Sequence, residues 1–335
     1  MEAHPPPVQM VQMLAGFQVS QALYVAAKVG VADVLVDGPV PLDQLVAKVQ
    51  ADPVALCRLL RTLCSLGVFS ETEPETFGLT PLGSTLVSDQ PGSMRDLALM
   101  WMETHYAPFA GLLGTIHTGE CAATEHYGQP FFAWLADQPE QVDRFSRAMA
   151  NLTNGVKAGA VTSYDFSDAG KVVDLGAADG ALLASILSTT PDTTGIAFDL
   201  PHVVDEAAAT VKGYGLGDRL TTQAGSFFDA VPGGADTYLL SMVLHDWNDS
   251  DATRLLTNIC TAATPGARVL AFELVVPTGS EPHMSKMIDL TMLGMLDGRE
   301  RTDDEMRGLF EGAGLIYDGA VPTPTPISII EARVP

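Results

Sequence analysis

Cysteine is scarce in this chain, with only Cys57, Cys64, Cys121 and Cys260. None belongs to a Cys-x-x-Cys pair, so neither a zinc site nor a disulfide framework is expected, and no metal is assigned. Long apolar runs are missing too: nothing reaches the roughly 18 uninterrupted apolar residues of a membrane span. The start, Met1 to Gln12, carries Pro5-Pro6-Pro7 and no basic segment ahead of an apolar one, which argues against a signal peptide. A cytoplasmic protein without a membrane partner is the expectation. Basic residues are the third shortage. Lys and Arg total 18 against 41 Asp and Glu, a formal net charge of −23. That field repels phosphates, so nucleic acid and anionic membranes are poor partners.

Apolar residues are plentiful. They make up 47 % of 335 residues, enough for a sizeable core and for two domains. The two halves follow different patterns. Residues 8–90 read as helices plus one hairpin. Val11 to Val29 has helical apolar spacing, and Pro41-Leu42-Asp43-Gln44-Leu45 reads as a capped helix start. Asp52 to Leu66 carries Leu56, Leu59, Leu60, Leu63 and Leu66 on one stripe, and Gly67 stops it. Val68-Phe69-Ser70 and Thr76-Phe77-Gly78-Leu79 form a two-stranded wing, and Pro81 to Leu86 starts another short helix. Helix, turn, helix and wing is a winged-helix order. A DNA-reading winged helix should show a basic face, but residues 1–90 hold nine acids and four bases. Packing against another subunit fits such a domain better. Residues 91–165 read as mainly helical and rich in large side chains, among them Trp101, His105 and Met149. Most of these belong to the core, and some suit a flat aromatic ligand.

From Lys171 strands and helices alternate: strands at 172–175, 195–200, 220–224, 237–244 and 268–275, helices at 181–187, 203–211 and 252–263. A helix follows at 302–313, with Thr302 as N-cap and Glu305 three residues on. Two last strands lie near 315–319 and 327–332. This alternation implies an α/β fold with a largely parallel sheet covered on both faces.

The first strand runs into Asp174-Leu175-Gly176-Ala177-Ala178-Asp179-Gly180, a tight turn that brings backbone amides close to a ligand. The second ends in Phe198-Asp199-Leu200-Pro201, where an acid can accept both ribose hydroxyls of an adenosine or serve as a helix N-cap. No Lys or Arg in the loop supports a pyrophosphate. After the third strand come Gly225, Ser226 and Phe227; Ser226 can reach an adenine edge and Phe227 can stack on its face. The fourth strand ends in His245-Asp246-Trp247. Ligands of open α/β sheets sit at the carboxyl ends of the strands. If the first and fourth strands are neighbours, His245 faces the Gly176 loop. Either Glu273 or Glu300 can accept its ring N–H and fix the tautomer.

Together, Leu244-His245-Asp246-Trp247, Pro265-Gly266-Ala267-Arg268, Glu300-Arg301-Thr302 and Phe198-Asp199-Leu200-Pro201-His202 resemble the plant caffeate-type and bacterial antibiotic-pathway O-methyltransferases. The resemblance spans nearly the whole chain. It implies a Rossmann-like methyltransferase sheet with an N-terminal, mainly helical winged-helix dimerisation domain. The corresponding boundaries are 1–95 for dimerisation, 96–165 for a helical segment serving the substrate pocket, and 166–335 for a catalytic domain that binds S-adenosyl-L-methionine. It also implies a homodimer and a small aromatic substrate. Gly176, Ala178 and Asp179 would hold the methionine end of the cofactor, Asp199 the ribose, and Ser226 and Phe227 the adenine, with Leu200, Gly225 and Ser241 beside them. His245 would be the base, assisted by Asp246, Glu273 and Glu300. Trp101, His105, Met149, Met242, Asp289 and Met292 would meet the substrate.

The chain departs from the family in three places. Ala177, Ala178 and Asp179 stand where the first loop is usually richer in glycine, Ser226 replaces an Asp, and Ser241 replaces a lysine of the plant members. Some relatives keep the cofactor and carry out hydroxylation, decarboxylation or cyclisation, which is the alternative reading. A winged-helix, ligand-sensing regulator is a second alternative, opposed by the acidic first half. With ordinary pKa values of about 10 for a phenol and 6.5 for histidine, full proton transfer is uphill by roughly 5 kcal/mol. General-base help is worth roughly 10²–10⁴-fold, and alignment of the reacting atoms roughly 7–11 kcal/mol, so positioning is the larger contribution.

Overall fold

The computed structural model describes residues 5–335, except the side chains of Thr153, Asn154, His202, Asp205, Glu206, Ala209 and Thr210. Met1 to His4 and the His202 side chain therefore lie outside the described residues. The chain forms two compact units. One runs to Ala110 and resumes over Phe132–Thr153; the other takes Gly111–Phe131 and Asn154–Pro335. The segment 96–165 is thus divided between the two.

In the first unit, helices Gly16–Val29, Leu42–Val49 and Pro53–Ser65 surround a core that includes Ala26, Leu45, Leu60, Leu63 and Phe77, none above 1 % exposed. The apolar stripe of residues 56–63 faces this core, and the Asp52 side chain accepts the Ala55 amide at 2.8 Å to cap its helix. The wing has three strands, with β1 (Val40–Pro41) and β2 (Phe69–Glu73) on either side of β3 (Thr76–Leu79). Two sequence readings change. The helix expected over Val11–Val29 is two, Pro6–Leu14 and Gly16–Val29, separated at Ala15, where the only caps are backbone bonds. The helix after Pro41 has no side-chain cap, because proline occupies the N-cap and pairs with Thr76 as part of β1.

The second unit is built on a seven-stranded sheet. Its strands are β4 (Lys171–Leu175), β5 (Thr194–Asp199), β6 (Leu220–Ala224), β7 (Thr237–Ser241), β8 (Arg268–Glu273), β9 (Ile316–Pro322) and β10 (Ser328–Arg333). Their order is β6-β5-β4-β7-β8-β10-β9. The first five are parallel, while β10 runs antiparallel to both β8 and β9. Strand β7 is buried along its whole length, the pattern of a sheet covered on both faces. One apolar cluster, with Tyr238, Leu240, Leu255, Leu256 and Phe310, covers one face. The other includes Ala160, Val172, Leu183, Leu187 and Phe272. Because β4 and β7 are direct neighbours, Leu175 opposite Leu240, their carboxyl ends open side by side. This is where the strand order reverses, the place at which ligands bind open α/β sheets.

Candidate active site

Strand β7 ends earlier than the sequence pattern suggests. Met242 makes the last ladder bond, to the Phe272 carbonyl at 3.0 Å, and turns into the left-handed region at φ +56°. The next two amides leave the ladder: Val243 and Leu244 donate to Glu273 Oε1, at 3.1 and 2.8 Å. A single 3₁₀ turn, Leu244–Asp246, then carries His245. Glu273 therefore holds the backbone of the turn rather than the imidazole. Glu300 does the second job, with Oε1 2.8 Å from His245 Nδ1. Asp289, expected at the substrate, accepts the Glu300 amide at 2.9 Å and so fixes that carboxylate's backbone.

Two more residues fasten the turn. Arg301 is wholly buried; it donates to the Leu244 and Trp247 carbonyls, both at 2.8 Å, and to Asp249 Oδ1. Gly298 lies so close beneath the turn that a Cβ would run into the His245 carbonyl. Arg299, Glu300, Arg301 and Thr302 follow directly, and Thr302 with Glu305 forms the expected capping box. The stretch 298–302 thus closes the turn on one side and starts a helix on the other.

Three buried ionisable groups, His245, Glu273 and Glu300, sit together, with the half-buried Asp246 beside them. Burial opposes charge on His245, but the neighbouring Asp246, the Glu300 hydrogen bond and the Glu273 charge outweigh it and raise the imidazole to about 10. The Asp246 carboxylate faces Nε2 at 3.4 Å. Burial lifts Glu273 to about 7, against the pull of His245 and the two amides, and raises Asp246 as well. Groups coupled this closely titrate as one unit. Ligand atoms of His245, Glu273 and Glu300 lie within 4.8 Å of one another, a set able to hold a cation. Here Nδ1 is engaged by Glu300, and one Glu273 oxygen by two amides.

The Gly176 loop sits beside this turn. Gly176 has φ +72° and donates to the Phe198 carbonyl at 2.9 Å. A Cβ there would lie 2.9 Å from Val243 Cγ2 and 3.8 Å from Phe227 Cε1, so only glycine fits the approach to these two side chains. Ala178 follows at φ +50°, and its amide donates to Asp199 Oδ2 at 2.8 Å. Asp179 accepts the Ala181 amide at 3.0 Å. The other Asp199 oxygen accepts the Leu200 amide at 2.7 Å. A carboxylate offers about four acceptor sites, so an acid fixed in this way can also serve a diol. Gly225 donates to the Asp199 carbonyl, and Ser226 Oγ accepts the Phe228 amide at 3.2 Å, holding the turn that presents Phe227. The Phe227 ring packs edge-on against Phe228 and Trp247. Leu200 is exposed.

Two features bear on whether a cofactor fits. Asp174 is 1 % exposed, yet neither of its oxygens has a partner among the described residues. Burial, with smaller help from Asp199 and Asp179 and against Lys157, raises it to about 7. Ser241 Oγ, at the end of β7, is also buried and unpartnered. Orphaned polar atoms of this kind are costly unless something meets them. Together with the glycine cradle and the fixed Asp199, they suit a ligand combining an adenosine with a charged, polar tail.

The residues expected at the substrate fall into two groups. In the second unit, Met242 follows β7 directly, while Met292 shares the helix Met284–Met295 with Asp289 and is buried. In the first unit, Trp101 and His105 bound a π-helical turn, a distortion frequent at functional sites. His105 Nδ1 is 2.7 Å from Thr104 Oγ1, and burial lowers the ring to about 4, which keeps it neutral. Met149 packs on a small core of Leu97, Met100 and Ala148. Sequence reasoning passed over Asp174, Gly298 and the role of Arg301. An acid within the apolar run Val172–Leu175 was a visible signal for Asp174; the others depend on tertiary approach and left none.

Known proteins resemble this chain along nearly its whole length. Residues 109–316 match an O-methyltransferase domain, and residues 11–89 an O-methyltransferase dimerisation domain. The chain is 43 % identical to the phenazine O-methyltransferase of Lysobacter antibioticus over 97 % of this chain and 95 % of that protein. The crystal structure of LaPhzM superposes with a TM-score of 0.94 at 42 % identity, covering 99 % of this chain and all of the other. Human N-acetylserotonin methyltransferase, solved with S-adenosylmethionine, gives a TM-score of 0.88 at 27 % identity over 99 % of both chains. The chain belongs to the S-adenosylmethionine-dependent O-methyltransferase family, with a Rossmann-like catalytic sheet and an N-terminal helical dimerisation domain.

Proposed function

We propose that this enzyme methylates a hydroxyl of a small aromatic secondary metabolite, with His245 receiving the acceptor's proton. When bound, S-adenosylmethionine supplies an electrophilic methyl group on a sulfonium. Gly176, Ala178, Asp179, Asp199, Leu200, Gly225, Ser226, Phe227 and Ser241 are assigned to that cofactor. Trp101, His105, Met149, Met242, Asp289 and Met292 are assigned to the acceptor, Asp289 through its hold on Glu300. The observation that carries the reading is the buried His245–Glu300 pair at the carboxyl end of β7, next to the loop after β4. Glu300 binds Nδ1, which leaves Nε2 as the atom to accept a proton.

The raised pKa of His245 alters the energetics. Against an ordinary histidine, a phenol of pKa about 10 transfers its proton uphill by roughly 5 kcal/mol. A base at about 10 nearly removes that gap. It also rests protonated at neutral pH, so the reactive complex is one that has lost a proton. Neutral His245 with the phenol, and imidazolium with the phenolate, are two forms of that same complex. Matched pKa values make them nearly equal in energy.

The phenazine relative suggests hydroxylated phenazines as the first acceptors to try, followed by phenols, naphthoates and polyketide aromatics. The test supplies methyl-labelled S-adenosylmethionine with this panel and identifies products by mass. An O-methylated aromatic supports the proposal; a hydroxylated, decarboxylated or cyclised product replaces it. His245→Ala should lower turnover by roughly 10²–10⁴-fold while leaving affinity for S-adenosylhomocysteine nearly intact. Unchanged turnover would mean that alignment alone drives the reaction. We also infer a cytoplasmic homodimer formed through the first unit. Helix Pro6–Leu14 buries none of its residues within the chain, and Val8, Met10, Val11, Met13, Leu14 and Phe17 are all exposed. Among the described residues, no helix is long and apolar enough to cross a membrane.

A further inference from the structure

The two carboxylates behind His245 are only half engaged. Glu273 Oε1 accepts the Val243 and Leu244 amides, and Glu300 Oε1 meets His245 Nδ1. Their second oxygens, Glu273 Oε2 and Glu300 Oε2, are buried and have no hydrogen-bond partner among the described residues. Glu273 is wholly buried, and Glu300 is 4 % exposed. An unpaired carboxylate oxygen in such a place is costly, because burial removes the water that would otherwise solvate it. The fold explains how two acids come to lie together. Glu273 closes β8, the neighbour of β7, and Glu300 arrives from the stretch that packs beneath the His245 turn. Arg301, next in sequence to Glu300, commits its guanidinium to two carbonyls of the turn and to Asp249, so it pairs with neither.

One ligand atom each from His245, Glu273 and Glu300 falls within a 4.8 Å span. An imidazole with two carboxylates is a donor set for zinc and related transition-metal dications, whereas magnesium and calcium prefer shells of oxygen alone. The charges match as well. Two carboxylates and a neutral imidazole around a dication sum to zero, which suits a buried site. Ligands of a tetrahedral zinc lie about 3.3 Å apart, so the set closes by at most about 1.5 Å on binding. The side chain of Asp246, beside Nε2, is 26 % exposed, so solvent reaches the edge of the cluster. We propose that His245, Glu273 and Glu300 form an inhibitory site for a zinc-class dication. The metal takes Nδ1 in place of its proton, which leaves to solvent, and it takes the unpaired carboxylate oxygens. The imidazole is then neutral and carries its remaining proton on Nε2. That nitrogen has no lone pair for the acceptor's hydroxyl, so the base is switched off. Glu273 Oε1 keeps its two amides, and the turn stays in place. The inhibition rests on the role proposed above for His245; the metal site does not.

The test uses Co²⁺ as a coloured substitute for zinc, because tetrahedral Co²⁺ absorbs visible light far more strongly than the aqueous, octahedral ion. The full-length protein, treated with EDTA and desalted, should take up Co²⁺ with a tetrahedral spectrum that saturates at one equivalent per chain. Zn²⁺ should displace it. His245→Ala should lose the spectrum, and Glu300→Gln should weaken Co²⁺ binding by roughly tenfold or more. His117→Ala, which removes an exposed histidine outside the cluster, should keep it. Circular dichroism and thermal midpoints establish that the variants fold. In the labelled-methyl assay, saturating Zn²⁺ should lower turnover by roughly 10²-fold or more, and EDTA should restore it. An octahedral spectrum alone, or a tetrahedral one that survives in His245→Ala, would overturn the site. Binding without loss of turnover would overturn the inhibition, and with it the reading of His245 as the base. A protein that transferred no methyl group would overturn the proposed function, and the Co²⁺ spectrum would still decide the site.

Discussion

The two loops that open side by side at the carboxyl ends of β4 and β7 are built in opposite ways. The His245 turn is held from far along the chain. Glu273 takes two of its amides, Arg301 two of its carbonyls, Glu300 its imidazole, and Gly298 packs directly beneath it. The Gly176 loop is held mainly by backbone bonds to the neighbouring strand end, the Phe198 carbonyl and the Asp199 carboxylate. A base must be held in position while a proton moves, whereas a cofactor supplies much of its own contact area when it arrives. The difference teaches that rigidity is concentrated where no ligand can provide it.

Breaking the clamp on the catalytic turn should have the largest effect. Arg301→Met keeps the apolar stem and strips the Leu244 and Trp247 carbonyls of their donor. Leaving buried acceptors unpaired costs about 1–3 kcal/mol each. The thermal midpoint should fall by several degrees, about 2–4 °C per kcal/mol for a chain of roughly this size, and turnover should fall with it. Scanning calorimetry reads the first and the labelled-methyl assay the second. A variant as stable as the parent would show that the turn does not depend on this side chain.

A smaller and more selective break is Glu300→Gln. The amide still reaches Nδ1 but carries no charge, so one of the influences that raise His245 disappears and its pKa moves down. His245 accepts a proton only when neutral. In the parent, activity should therefore climb with pH towards about 10; in the variant, the rise should come at lower pH. The plateau should drop by roughly 10–100-fold, because glutamine can offer its N–H and misorient the ring. Rate profiles from pH 6 to 10.5 decide this. An acid limb that stayed in place would remove Glu300 from the control of His245.

The contrast between the loops also explains what the sequence revealed. The Gly176 loop is local, and a glycine turn after an apolar strand was readable, as were Asp199 and the Phe227 turn one strand and two strands later. His245 was placed by the alternation of strands and helices. Its support was not, because Gly298 and Arg301 act on residues more than 50 positions earlier and their spacing follows no period. The division of labour between Glu273 and Glu300 was equally hidden: either carboxylate suits either task, and the early end of β7 decides it. In the first unit the helical stripe of Leu56–Leu63 gave the core, while the break at Ala15 has no strong local signal, since alanine is a good helix former.

The smallest effect concerns the loop itself and the departure that sets this chain apart. Ala178 adopts φ +50°, a region that costs an L-residue roughly 1–2 kcal/mol and costs glycine nothing. The glycine-rich loops of the family are suited to that conformation, and this chain keeps the conformation with alanine. Ala178→Gly should relieve the strain, although glycine gives back part of the gain through the extra freedom of its unfolded chain. The net result should be a stabilisation of about 1 kcal/mol or less, read as a small rise in the thermal midpoint. Affinity for S-adenosylhomocysteine should stay within about threefold, because the Ala178 amide still meets Asp199. The same substitution at a loop held as tightly as the His245 turn would disturb catalysis. A marked loss of turnover in Ala178→Gly would therefore show that the Gly176 loop is as constrained as its neighbour.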